Sequence, residues 1–159
     1  MPDTDTPPAD FDFAFRSWRV DHRRLRERLV GCTDWDSFSG TSTTRPIVGG
    51  FGNVEDNVLA MPDGEVRAVA LRSFDRETGQ WAIWWLSATA PHQIDVPVIG
   101  RFEDGVGIFL ADDTLRGMPI RVRFTWSRTQ TDSPRWEQAM SDDGGVSWET
   151  NWTIDFHAV

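Results

Sequence analysis

The sequence predicts an all-β chain, an antiparallel up-and-down closed barrel of about ten strands. Three observations carry this prediction. Strand-length runs with period-two alternation recur from Trp18 to the carboxyl end, bordered by Gly, Pro or Asp. Several connections are only as long as a turn, such as MPDG at 61–64, DRETG at 75–79 and EDG at 103–105, so consecutive strands pair as hairpins. No convincing helical period separates the runs, and a meander with short turns buries its apolar face more simply by closing than by crossing over into a sandwich.

Residues 1–10, MPDTDTPPAD, are polar and Pro-rich and read as a disordered lead-in, with 11–159 as a single barrel domain. FDFAF at 11–15 fits a short strand or a turn of helix. Trp18, Val20 and His22 alternate with Arg19 and Asp21 and open the first strand, although RRLRERL, which follows, allows a helix as well. Further strands are expected at 35–44, 53–61, 66–75, 80–88, 97–103, 106–111, 119–129, 135–141 and 147–157. Trp81-Ala82-Ile83-Trp84-Trp85-Leu86 is apolar on both faces, so cover is expected over Trp84, from FDFAF or from a second copy in a homodimer. At 135–156 two strands flank Asp142-Asp143-Gly144-Gly145, with Trp136, Gln138 and Met140 on one face going in. Simple alternation puts Trp148, Thr150, Trp152, Ile154 and Phe156 on one face coming out.

The chain's 159 residues suit one domain with a real core. Nine Trp and ten Phe with no Tyr make that core aromatic, with indole N–H groups as its only aromatic polar handles. All 16 basic residues are Arg, and 25 acids leave a formal charge of −9, a surface that repels nucleic acid and anionic membranes. The lone Cys32 allows no internal disulfide and no Cys-based metal cluster, which suits a reducing compartment. The start has neither the basic nor the apolar region of a secretory signal, and no run reaches the length of a membrane span; a soluble, cytoplasmic protein is expected.

Ser141-Asp142-Asp143-Gly144-Gly145-Val146-Ser147-Trp148 fits S-x-D-x-G-x-x-W and resembles the Asp-box hairpin of sialidases and other β proteins. As a single copy it reads as a turn lock rather than as evidence of glycosidase activity. Arg121 and Arg123 lie on the strand face opposite Ile120, Val122, Phe124 and Trp126, within reach of Glu137, Glu149 and Asn151 on the following hairpin. A solvated outer face of ion pairs is the simpler account, because the opposite face holds the aromatic residues that fill a small barrel. If that face instead lines the lumen, Arg binds a ligand carboxylate bidentately. Asn53, Glu55 and Arg72 can line a pocket with Arg101, and strand-surface polarity explains them equally well. His22, His92 and His157 lack metal-ligand spacing, so no metal site is expected; His22 is the leading proton carrier, or a haem ligand as the alternative to having no cofactor.

FDFAFRSWRVDHRRLRERL, GGFGNVEDNVL, IGRFEDGVGIF, IRVRFTW and RWEQAMSDDGGVSWETNW together resemble a family of small bacterial proteins with a calycin-type, lipocalin-like barrel. The resemblance runs from Phe11 onward and implies a barrel with a central cavity; it supplies no catalytic residues. Where an aromatic pair with Tyr is expected in the 80–88 strand, this chain has Trp84-Trp85, which narrows a pocket or removes a hydroxyl from it. The expected function is to hold a small hydrophobic or amphipathic molecule, with Trp85, Arg101, Arg121, Arg123, Trp126, Glu137, Asn151 and Trp152 as ligand-binding candidates. The alternative is a barrel enzyme (isomerase, cyclase or lyase) with His22, Glu55 and Glu149 as acid–base candidates.

Overall fold

A computed structural model describes residues 5–159. Ten antiparallel strands run in chain order around a closed barrel: β1 (Ser17–Leu25), β2 (Trp35–Ile47), β3 (Gly52–Met61), β4 (Gly64–Asp75), β5 (Gln80–Ser87), β6 (Val98–Glu103), β7 (Val106–Leu115), β8 (Met118–Ser127), β9 (Arg135–Ser141) and β10 (Glu149–Ala158). The last strand pairs with the first, Trp18 opposite Ala158 through Arg24 opposite Trp152, so no sheet edge remains along that seam. The up-and-down closed barrel predicted from alternation and turn length is therefore the fold observed. Several strands outrun their predicted ends, β2 reaching Ile47 and β7 reaching Leu115.

Alternation puts Trp18, Val20 and His22 inside on β1, Asn53, Glu55, Asn57 and Leu59 on β3, Ala68, Ala70 and Arg72 on β4, and Trp81 and Ile83 on β5. From the other side come Ile120, Val122 and Trp126 of β8, Trp136, Gln138 and Met140 of β9, and Trp152, Ile154 and Phe156 of β10. The lumen thus has an aromatic half on β5 and β8–β10 and a polar half on β1–β4.

FDFAF forms a 3-10 turn, Asp12–Ala14, that closes one end. It does not cover Trp84. Phe11 enters the barrel, 1 % exposed, and meets Trp81 and Phe102 edge-on with centroids 4.9 and 5.0 Å away. An apolar segment beside an open barrel end gains more by filling it than by lying on the outer wall. Trp84 stays on the outer face of β5, half-buried, opposite Leu71 of β4. Of the lead-in expected at 1–10, residues 1–4 lie outside the described residues; the Asp5 carboxylate accepts from Arg76, and Asp10 Oδ2 accepts from the Trp81 indole N–H at 2.9 Å.

At the opposite end the β1–β2 loop folds over the barrel mouth. The Leu29 N–H donates to Glu149 Oε1 at 2.8 Å, Arg116 Nη2 donates to the Arg28 carbonyl at 2.7 Å, and Leu29 packs onto the core. The β9–β10 turn is held by Asp143, whose carboxylate accepts from the Val146 and Ser147 amides and both Ser141 and Ser147 hydroxyls. Those bonds hold the Asp143 carboxyl well below its usual range, the Ser147 side-chain hydroxyl contributing most.

One element departs from simple alternation. A bulge between Thr150 and Trp152 shifts the register of β10 against β9. Trp152, Ile154 and Phe156 consequently face inward with Gln138 and Trp136, whereas Thr150 is exposed and Trp148 lies outside, under the Arg123 guanidinium at 4.3 Å.

Candidate functional site

The deepest interior space lies between the polar and aromatic halves. Glu55 and Arg72 form its base, and Trp85, Trp126, Trp136, Trp152 and Phe124 supply aromatic walls. It gives the centre of a water molecule only about 20 Å³, room for one or two waters. Nearer the mouth lie two larger spaces. One, of about 220 Å³, is bounded by Arg28, Asp95, Asp113 and Gln138 among others; the second, of about 240 Å³, by Arg24, Met61, Ser87 and Gln93. Trp85 is a wall of all three.

The base is built by register. Asn53 sits opposite Arg72 across β3 and β4, and Glu55 is two residues further along the same inward face. Arg72 Nη1 donates to Asn53 Oδ1 and Nη2 to Glu55 Oε1, both at 2.8 Å; Asn57 Nδ2 donates to Glu55 Oε2 at 3.1 Å. The side chains of Arg72 and Glu55 are 2 % and 5 % exposed. A buried ion pair costs desolvation that an aromatic filling would avoid, and the hydrogen bonds to Asn53 and from Asn57 offset part of that cost. Phe11 lies beneath, its ring centroid 4.7 Å from the Arg72 guanidinium carbon, with Trp126 at 5.5 Å.

His22 belongs to the same lumen. Its Nδ1 accepts from the Trp152 indole N–H at 3.0 Å and its ring stacks on Phe38 at 4.6 Å, which leaves the proton on Nε2. Burial lowers its pKa to about 4; Arg24 adds to that effect and Asp21 opposes it. His22 is thus a neutral imidazole at ordinary pH.

The sequence-predicted residues separate into two groups. Trp85, Trp126 and Trp152 line the deep space, Glu55 forms its base, and His22 stands behind Trp152. Asn151 is buried at the bulge and accepts from Gln138 Nε2 at 2.7 Å. Arg101, Arg121, Arg123 and Glu137 are outside the lumen, because strand parity sets them opposite the inward Phe102, Val122, Phe124 and Gln138. Arg101 is exposed, Arg121 lies 3.5 Å from Asp112, Arg123 covers Trp148, and Glu137 lies 3.6 Å from Arg135. Arg121, Arg123 and Glu137 thus lie on the outer face, but the ion pairs expected among them and Glu149 do not form: Arg121 pairs with Asp112 and Glu137 with Arg135, while Asn151 is buried. Glu149 sits at the mouth, where its carboxylate anchors the β1–β2 loop.

Sequence reasoning did not single out Trp136, Phe124 or Asn57, or the rim residues Arg24 and Arg28, as site residues. The signal available on β3 pointed the wrong way: its outward residues Val54 and Val58 are more apolar than the inward Asn53, Glu55 and Asn57.

Fold and site together define a closed up-and-down β-barrel with a largely aromatic lumen and a buried ion pair at its base. No family model and no curated protein matches the chain. Among the described residues, no helix is long and apolar enough to cross a membrane.

Proposed function

We propose that the protein holds a small apolar or amphipathic ligand inside its barrel. The observation that carries this reading is the set of three spaces that share Trp85 as a wall, two toward the rim and one over the Glu55–Arg72 pair. Stacking on Trp85 and Trp152 supplies the attraction, and Trp85 moves aside to join the spaces as a ligand enters. Membership of a calycin-type barrel family forms part of the proposal and is supported by the strand order.

Binding is favoured over isomerase, cyclase or lyase chemistry because the proton-accepting positions of His22 and Glu55 are occupied and Glu149 anchors a loop. Both Glu55 oxygens accept from Arg72 or Asn57, the free lone pair of His22 accepts from Trp152, and Glu149 accepts from Leu29. Haem ligation by His22 fits poorly for the same reason, since the indole N–H on Nδ1 keeps Nε2 protonated and a ligating nitrogen must be bare. The unpaired Cys32 and the charge of −9 support a reducing compartment and a partner that is neither nucleic acid nor membrane.

Ethylnaphthalene titrated into isotopically labelled protein tests the reading. Saturable shifts are expected at the indole N–H signals of Trp85, Trp136 and Trp152, with the outer-face Trp148 signal unmoved. No saturation, or shifts led by Trp148, refutes it.

A further inference from the structure

Four of the six buried side-chain polar atoms without a partner among the described residues are hydrogen-bond donors only. Among the described residues they are His22 Nε2, Asn53 Nδ2, Arg72 Nε and Asn151 Nδ2, joined by the hydroxyls of Ser42 and Thr44, which can donate or accept. No carboxylate oxygen is among them. Unpaired buried donors are costly, and of the residues that carry them Arg72 alone lines the deep space, so its Nε–H is the donor placed to meet a guest that brings an acceptor.

Resting on the binding role proposed above, we infer that the ligand is a neutral planar molecule bearing a carbonyl-type acceptor, a ketone, quinone or lactone on an aromatic frame, rather than a carboxylic acid. Its oxygen docks at the Arg72 Nε edge. The other edges of that guanidinium are taken, Nη1 by Asn53 and Nη2 by Glu55, and the Phe11 and Trp126 rings pack beside it. The deep space, about 20 Å³ to water centres, admits a carbonyl group but no ring. The ring therefore remains above, beside Trp85 and Trp152, where the mouth-side spaces are about tenfold larger.

Charge decides between a carbonyl and a carboxylate. The Arg72 cation is already balanced by Glu55 at 2.8 Å. A ligand carboxylate would put a second anion beside that single cation in a water-poor aromatic enclosure, and its lost hydration would go largely unrepaid. A carbonyl accepts the same N–H bond without adding charge.

A matched set of ethylnaphthalene, acetylnaphthalene and naphthoate, compared by isothermal titration calorimetry, tests the inference. Wild type is expected to bind acetylnaphthalene about tenfold more tightly than ethylnaphthalene, with naphthoate the weakest of the three. Glu55→Gln removes the balancing anion and keeps an amide oxygen for Arg72, so naphthoate is expected to become the tightest ligand and to raise the variant's melting temperature more than it raises that of wild type. Naphthoate matching or exceeding acetylnaphthalene in wild type overturns the inference, as does equal binding of the acetyl and ethyl compounds; in both cases the binding role itself stands. Failure of all three compounds to bind removes both. If Glu55→Gln does not fold, the wild-type ranking alone decides.

Discussion

Replacing His22 by Asn should flatten the acid dependence of stability by an amount that the structure fixes. Buried among Phe38, Trp152 and the barrel wall, the imidazole takes up a proton only near pH 4 in the folded chain, against 6.5 when unfolded. Between those values the unfolded chain binds a proton that the folded chain refuses, so acidification favours unfolding. Stability is therefore highest above pH 6.5, declines as the pH falls to about 4, and loses nothing more through this residue below that. The two proton affinities make the fold roughly 3 kcal/mol less stable near pH 4 than above pH 7 through His22 alone. Asn offers an acceptor to the Trp152 indole and does not titrate. Urea denaturation of both proteins across this range isolates the difference, since the acid losses of the carboxylates are common to both. Wild type should lose about 3 kcal/mol more than His22→Asn on going to pH 4. Parallel curves, or an imidazole that titrates near its ordinary value by NMR, refute the buried neutral histidine.

Other outcomes follow from the same contacts. Trp152→Phe removes the donor to His22 Nδ1; it should cost about 1–3 kcal/mol in denaturation and raise the His22 pKa seen by NMR, because the bond lost is one made to the neutral ring. Arg72→Leu strands the Glu55 carboxylate in the lumen and should cost about 3–5 kcal/mol, whereas Glu55→Leu combined with Arg72→Leu should recover most of that loss, a double-mutant cycle read by urea denaturation. Asp143→Ala should speed hydrogen exchange at the Val146 and Ser147 amides and leave ligand binding unchanged, because the turn it locks touches none of the interior spaces.

Much of this barrel is legible in the chain because turn chemistry and period two are local signals. MPDG, DRETG and EDG fall at hairpin turns, and Trp136, Gln138 and Met140 share the face that alternation assigns them. Alternation separates two faces without saying which is inside. On β3 the amphipathic pattern favours the wrong one, since Asn53, Glu55 and Asn57 look like a solvated row until β4 brings Arg72 opposite Asn53 and within reach of Glu55. Only pairing between strands reveals that Arg72 bonds to Asn53 and Glu55, and Asn57 to Glu55. The β10 bulge is invisible for a related reason: a single extra residue near Asn151 reverses every face before it, and nothing in SWETNW marks the step. FDFAF is plainly apolar in the sequence, but its destination, the barrel's end rather than its outer wall, depends on the open end that the closed sheet creates.

The ladder between β5 and β6 is short, with only Trp81, Ala82 and Ile83 matched, to Gly100, Ile99 and Val98. Beyond Ile83, strand β5 carries Trp85 with a full ladder on the β4 side, where Trp85 faces Ala70, while on the other side its carbonyl accepts from the Asp95 amide at 3.0 Å. A closed barrel opens most easily where the fewest bonds must break, which in this wall is the stretch of β5 beyond Ile83. The side chain that divides the interior thus hangs beside the weakest seam in the wall. Under the ligand-holding role proposed above, loosening there would free Trp85 without unfolding the plugged end, and entry would become a property of the wall as much as of the mouth.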